Sequence, residues 1–109
     1  MEGDFTRCFI NMTTIDDIVR IITPIIYASP VRRVILFGSY ARGSSTPDSD
    51  IDLVIDSDGQ LRGINFFALS CELAQALPIK ADIFEMREIN PNSNMYDVIA
   101  QEGVVIYDR

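Results

Sequence analysis

The sequence predicts a small α/β fold, a mixed β-sheet with helices packed on it. Three observations carry this. Short apolar runs bounded by turn residues recur at Val31–Phe37, Ile51–Ile55, 79–84 and Val104–Tyr107 and read as strands. Stretches with apolar residues at helical spacing lie before or between them, at Ile15–Ile26 and Ile64–Leu77. The length of 109 residues with 48% hydrophobic content suits one domain with an ordinary core. The resulting order is α-β-(α)-β-α-β-α-β.

Residues 1–12 lack a clean period and read as a flexible leader, with Phe5, Phe9 and Ile10 as apolar members and Met12 as a second candidate start. The domain then spans 13–109. Thr14 and Asp17 stand three apart like a capping box, with Asp where Glu or Gln is usual. Pro24 falls inside the helical pattern that follows and should kink or end it. Val34-Ile35-Leu36-Phe37 is continuously apolar, which predicts a strand buried on both faces. Gly38 breaks it, and residues 38–49 are rich in Gly, Ser, Thr, Pro and Asp, a loop with a short helix opening near Ser39. Asp56-Ser57-Asp58-Gly59 is a turn. In the next helix Phe67, Cys71 and Ala74 widen the apolar face of Phe66, Leu69, Leu73, Ala76 and Leu77, so deep burial is expected, and Pro78 ends it. Residues 79–84 alternate as a third strand, Met95, Val98 and Ile99 form a short helix, and Gly103 sits at a helix-cap position.

Composition excludes several function classes. There is no histidine, which removes histidine general bases, triads and His-ligated zinc. Lys+Arg 9 against Asp+Glu 16 gives a net charge of −7, unsuited to binding nucleic acid by phosphate neutralisation and suited to a basic partner or a cation. Lys80 is the single lysine, so a phosphate site must draw on backbone amides, arginine or metal. No apolar run reaches the roughly 18 residues of a membrane helix, and no secretory leader pattern opens the chain, which predicts a cytoplasmic location. Cys8 and Cys71 show no metal spacing and read as reduced core thiols.

The chemistry concentrates in Gly38-Ser39-Tyr40-Ala41-Arg42-Gly43 and Ser49-Asp50-Ile51-Asp52-Leu53. Asp50 and Asp52 are two apart on a strand, so both side chains leave one face, with Cα atoms about 6.5–7 Å apart. Such carboxylates suit a hard divalent cation such as Mg²⁺, completed by substrate phosphate oxygens, or a metal pair clamping an in-line displacement. Gly38 lets a phosphate approach the backbone, Ser39 adds a hydroxyl at a helix start, and Arg42 adds positive charge one turn later. The segment is not a Walker A loop, because it lacks Gly-Lys-Ser/Thr. Asp82, mid-strand in Lys80-Ala81-Asp82-Ile83-Phe84, reads either as an exposed edge residue or as a third ligand facing Asp50 and Asp52, since a bare buried charge is costly. Asp48, Asp56 and Asp58 read as turn residues, Tyr40 as a loop residue, and Phe66-Phe67 as core.

Gly38-Ser39, ten residues, then Asp50-Ile51-Asp52 resembles the signature of the DNA polymerase beta-like nucleotidyltransferase superfamily. The longer string from Leu36 to Val54 is similar to that of the minimal nucleotidyltransferases, the MntA-like antitoxins of prokaryotic toxin–antitoxin pairs. The likeness runs from about Ile15 to Tyr107, taking in Phe66-Phe67, Glu72-Leu73, Asp82 and Glu102-Gly103; Ala81, where a β-branched residue is common, and the leader depart from it. The resemblance implies a polymerase beta-like core in which Gly38 and Ser39 hold the triphosphate, Asp50 and Asp52 bind metal, and Asp82 completes the metal site and helps deprotonate the acceptor. It also implies Mg²⁺ as cofactor, ATP as substrate, and AMP transfer to a tyrosine of a cognate HEPN toxin ribonuclease, a separate helical protein. Two rivals remain: an antitoxin that works by binding alone, and nucleotidyl transfer to a small molecule. The chain is short for the latter.

Overall fold

The computed structural model describes residues 13–109; the leader expectation and Cys8 lie outside them. Helix α1 (Ile15–Tyr27) starts at the Thr14–Asp17 capping box, with the Thr14 side chain accepting from the Asp17 amide and the Asp17 carboxylate accepting from the Thr14 amide. These bonds, with the Arg20 guanidinium beside it, hold the Asp17 carboxyl below the ordinary carboxylate range. The helix does not end at Pro24. Pro24 lies on the exposed side, while Ile22 and Ile26 on either side of it are fully buried and keep the last turn on the sheet.

Strand β1 (Arg33–Phe37) begins two residues later than expected, after the buried Val31. One turn of helix, α2 (Ser39–Arg42), follows it, closed by Gly43 in the left-handed conformation. Then come β2 (Ile51–Asp56), α3 (Ile64–Ala76), β3 (Ala81–Glu85), a 3-10 turn (Met86–Glu88), α4 (Asn94–Glu102) and β4 (Val104–Asp108). The sheet order is β3-β2-β1-β4, with β1 antiparallel to β2 and β4, and β2 parallel to β3. The expected small mixed sheet with helices on it is therefore what forms.

The sheet separates two apolar clusters, as the all-apolar β1 requires. On one face Val34, Leu36, Ile51, Leu53 and Ile55 pack under α1 and α3. On the other, Phe37 and Val54 meet Ile89 and Ile99, with Ile35, Phe84 and Met95 at their margins. Gly103 caps α4 with ordinary extended backbone rather than a left-handed turn. Its missing side chain is a matter of space: a Cβ there would press on the Ile99 carbonyl and lie 2.7 Å from Ile35 Cγ2.

Helix α3 corrects an expectation. Leu69 and Leu73 are buried, with Leu77 just beyond the helix, but Ile64 and Phe67 are 80% and 65% exposed, and Ala74 and Ala76 face solvent. Only one face of the helix meets the sheet, so the wider apolar surface stays outside, and Phe67 is not core. Cys71 is a half-buried free thiol. Among the described residues no helix is long and apolar enough to cross a membrane.

Candidate functional site

The site forms where β1 turns into α2. Phe37 is the register partner of Asp52 across the antiparallel β1–β2 pair, and Asp52 is the register partner of Asp82 across the parallel β2–β3 pair. Register partners share a face, so Asp52 and Asp82 project from the face that carries Phe37, Val54 and Phe84. There Phe37 and Phe84 pack with ring centroids 5.9 Å apart, forming an apolar floor behind the carboxylates. Asp50, two residues before Asp52, lies at the entry of β2 within 3.7 Å of the Lys80 Nζ.

The backbone at the end of β1 is unusual. Gly38 has φ +78°, ψ −154°, and α2 opens directly after it. The first-turn amides of a helix have no intrahelical acceptor, so those of Ser39, Tyr40 and Ala41 can meet an anion beside the carboxylates, while the Arg42 amide already donates to the Gly38 carbonyl. Because α2 is a single turn, this depends on individual amides rather than on a long-helix dipole. Arg42 closes the turn, 3.3 Å from Glu102 at the end of α4.

The neighbouring charges are felt at Asp52. Burial pushes the Asp52 carboxyl above the usual carboxylate range, the Asp82 and Asp50 charges push it further, and Arg42 pulls it back. Three of the residues singled out in the sequence, Asp50, Asp82 and Arg42, thus act on Asp52 here, and the Asp52 carboxylate occupies the space where a side chain on Gly38 would stand.

A family model described as polymerase beta, nucleotidyltransferase, matches residues 20–109. The chain belongs to this nucleotidyltransferase family. Two Methanocaldococcus jannaschii proteins, both named "Putative protein adenylyltransferase", are 32% identical over 71% of this chain and 83% of their own length, and 33% identical over 74% and 83%. A crystal structure of a toxin–antitoxin pair with AMP-PNP matches with TM-score 0.70 at 22% identity, covering 84% of this chain and 73% of that one. The structure of a tri-AMPylated Shewanella oneidensis HEPN toxin in complex with MNT antitoxin matches with TM-score 0.67 at 19% identity, covering 88% and 74%. These likenesses establish the polymerase beta-like fold.

The donor set of this nucleotidyltransferase fits a hard cation. The acids offer only oxygen ligands, and their mutual repulsion at Asp52 is a charge imbalance that a divalent ion would relieve. Among the described residues, however, no three His, Cys, Asp or Glu side chains, Asp50, Asp52 and Asp82 included, are grouped so that they could hold a metal ion by themselves. A closed all-protein site does not fit; a cation that completes its shell with water and phosphate oxygens does.

Three features of the nucleotidyltransferase site were missed in the sequence. Lys80, the residue just before β3, stands beside Asp50, a proximity set by the β2–β3 pairing. Glu102 reaches Arg42 across 60 residues, which no local pattern could show. Tyr40, expected in a loop, is 7% exposed and packs in the core beneath α2, where burial pushes its hydroxyl pKa up. The turn expectations for Asp48 and Asp58 agree with the structure, with Asp58 paired to Arg87, whereas Asp56 is the last residue of β2, in register with Arg33, and its carboxylate accepts from the Asp58 amide.

Proposed function

We propose that the chain transfers AMP from Mg²⁺-bound ATP to a tyrosine hydroxyl of a partner protein, a HEPN-type toxin ribonuclease, and thereby acts as an antitoxin. The observation that supports this reading is the β2–β3 register, which sets Asp52 beside Asp82 on one face of the sheet, next to the Gly38-Ser39 turn and with Asp50 two residues before Asp52. The adenylyltransferase names of its relatives and the toxin–antitoxin pairs among its fold neighbours support it.

In this reading the acceptor oxygen forms a bond to the α-phosphorus, the α–β bridging bond breaks, and pyrophosphate leaves. Asp50, Asp52 and Asp82 would hold the Mg²⁺, whose charge offsets that of the triphosphate when it is bound. Asp82 takes up the acceptor proton. The amides after Gly38 and the Ser39 hydroxyl orient the triphosphate, and Arg42 adds positive charge at its margin. Phosphoryl-type transfer relies on positioning and charge neutralisation, so the lack of histidine is no obstacle.

The test is incubation with labelled ATP and the candidate toxin, followed by mass spectrometry of the product. Transfer of AMP to a toxin tyrosine, lost in Asp50→Ala/Asp52→Ala, is the expected result. Label on a small molecule would favour the third reading of the sequence. Undiminished toxin neutralisation in cells by the double variant would favour binding alone.

A further inference from the structure

Gly38 was read from the sequence as the place where a phosphate meets the backbone. The structure gives its missing side chain a different occupant. A Cβ built on Gly38 would collide with Asp52 Oδ2 and lie 3.3 Å from Asp52 Cγ and 3.6 Å from its Cβ. The space is filled by the carboxylate of β2. The φ of +78° independently demands glycine, because an L side chain at that angle is strained. Gly43, with a similar φ of +76°, has nothing within 4 Å of the position its Cβ would take, so crowding is not a general property of the loop's glycines.

We infer that Gly38 is a positioning residue for Asp52: its bare Cα is the seat against which the Asp52 carboxylate is held facing Asp82. This rests on the reading of Asp52 as a metal ligand and extends it. The Phe37–Asp52 register pair delivers the carboxylate to the end of β1, where the next residue of that strand has no side chain to obstruct it. Asp52 is short, and a methyl group at 38 leaves its carboxylate one escape, a rotation away from Gly38. That rotation takes Oδ2 out of the place it holds beside Gly38. The glycine of the Gly-Ser pair therefore serves the metal side of the reaction as well as any phosphate.

The decisive measurement is Mn²⁺ affinity without nucleotide, by electron paramagnetic resonance, on wild type and Gly38→Ala, with circular dichroism to verify the fold. The seat predicts a fold that is kept and an affinity that falls about 10–100-fold, the range for losing a group that orients a ligand. Wild-type Mn²⁺ affinity in Gly38→Ala, with only nucleotide binding weakened, would overturn it. If Gly38→Ala is too unstable to bind, the melting-temperature loss it causes is compared in the Asp52 and Asp52→Ala backgrounds. A seat predicts a much smaller loss once the carboxylate is gone, because the two residues are coupled; an equal loss in both backgrounds means backbone strain alone and overturns the inference. If wild type itself binds no Mn²⁺, the metal reading fails, and the paired melting comparison still decides whether Gly38 seats Asp52.

Discussion

Asp52 carries conflicting demands. It is half-buried, sits in line with Asp82, and has Asp50 two residues away. Without a cation, each of these makes its negative charge costly. Asp52→Asn is therefore expected to raise the melting temperature in chelator at neutral pH while lowering AMP transfer by about 100-fold or more, the scale of losing a key electrostatic group. Thermal melts alongside labelled-ATP assays check both halves, and a variant less stable than wild type would contradict the account. The paired aspartates and the Gly-Ser turn were legible in the sequence because they are local: a two-residue spacing on a strand and a glycine after an apolar run. Lys80 beside Asp50 and Glu102 on Arg42 depend on the strand pairing and on the packing of α4, neither of which local spacing encodes.

Among the elements, α1 owes its start to a reciprocal cap and its end to packing. Thr14→Ala should cost about 1 kcal/mol, read as a drop in melting temperature. Asp17 adds a pH dependence of known sign. Its folded pKa is depressed, so its contribution is present above the unfolded carboxylate pKa and is lost as pH falls through the folded one. Wild type should thus be more stable than Asp17→Asn at neutral pH, and the two should converge in acid; a gap that persists there would point to another cause. Gly103→Ala should destabilise by about 1–3 kcal/mol, since the new methyl meets the α4 backbone and Ile35. Denaturant titration measures it. Pro24 and the outer face of α3 are where element-level reading failed, for opposite reasons. At Pro24, buried isoleucines on either side outweigh a local breaker. On α3, apolar residues such as Phe67 satisfy a helical pattern without having anything among the described residues to pack against.

For the whole molecule, the alternation of strands and helices was enough to anticipate a mixed sheet, but not its order, since β1 lies between β2 and β4 while β3 joins from beyond β2. That order brings the acids together. A ligand that binds only the folded chain stabilises it by mass action, about 2.7 kcal/mol at a hundredfold excess over its dissociation constant. Mg²⁺ with a non-hydrolysable ATP analogue should accordingly raise the melting temperature of wild type and not of Asp50→Ala/Asp52→Ala. The same order also makes the acids mechanically unequal. Asp52 is carried by a strand hydrogen-bonded on both sides, whereas Asp82 rides on the outermost strand of the described sheet, flanked on one side only. Sheet margins open more readily than sheet centres, so fraying of β3 would carry off one acid while the other stays put. Amide protons of residues 81–85 should exchange with solvent sooner than those of 51–56, and nucleotide with Mg²⁺ should slow the former more, because a ligand spanning both strands would pin the looser one to the firmer.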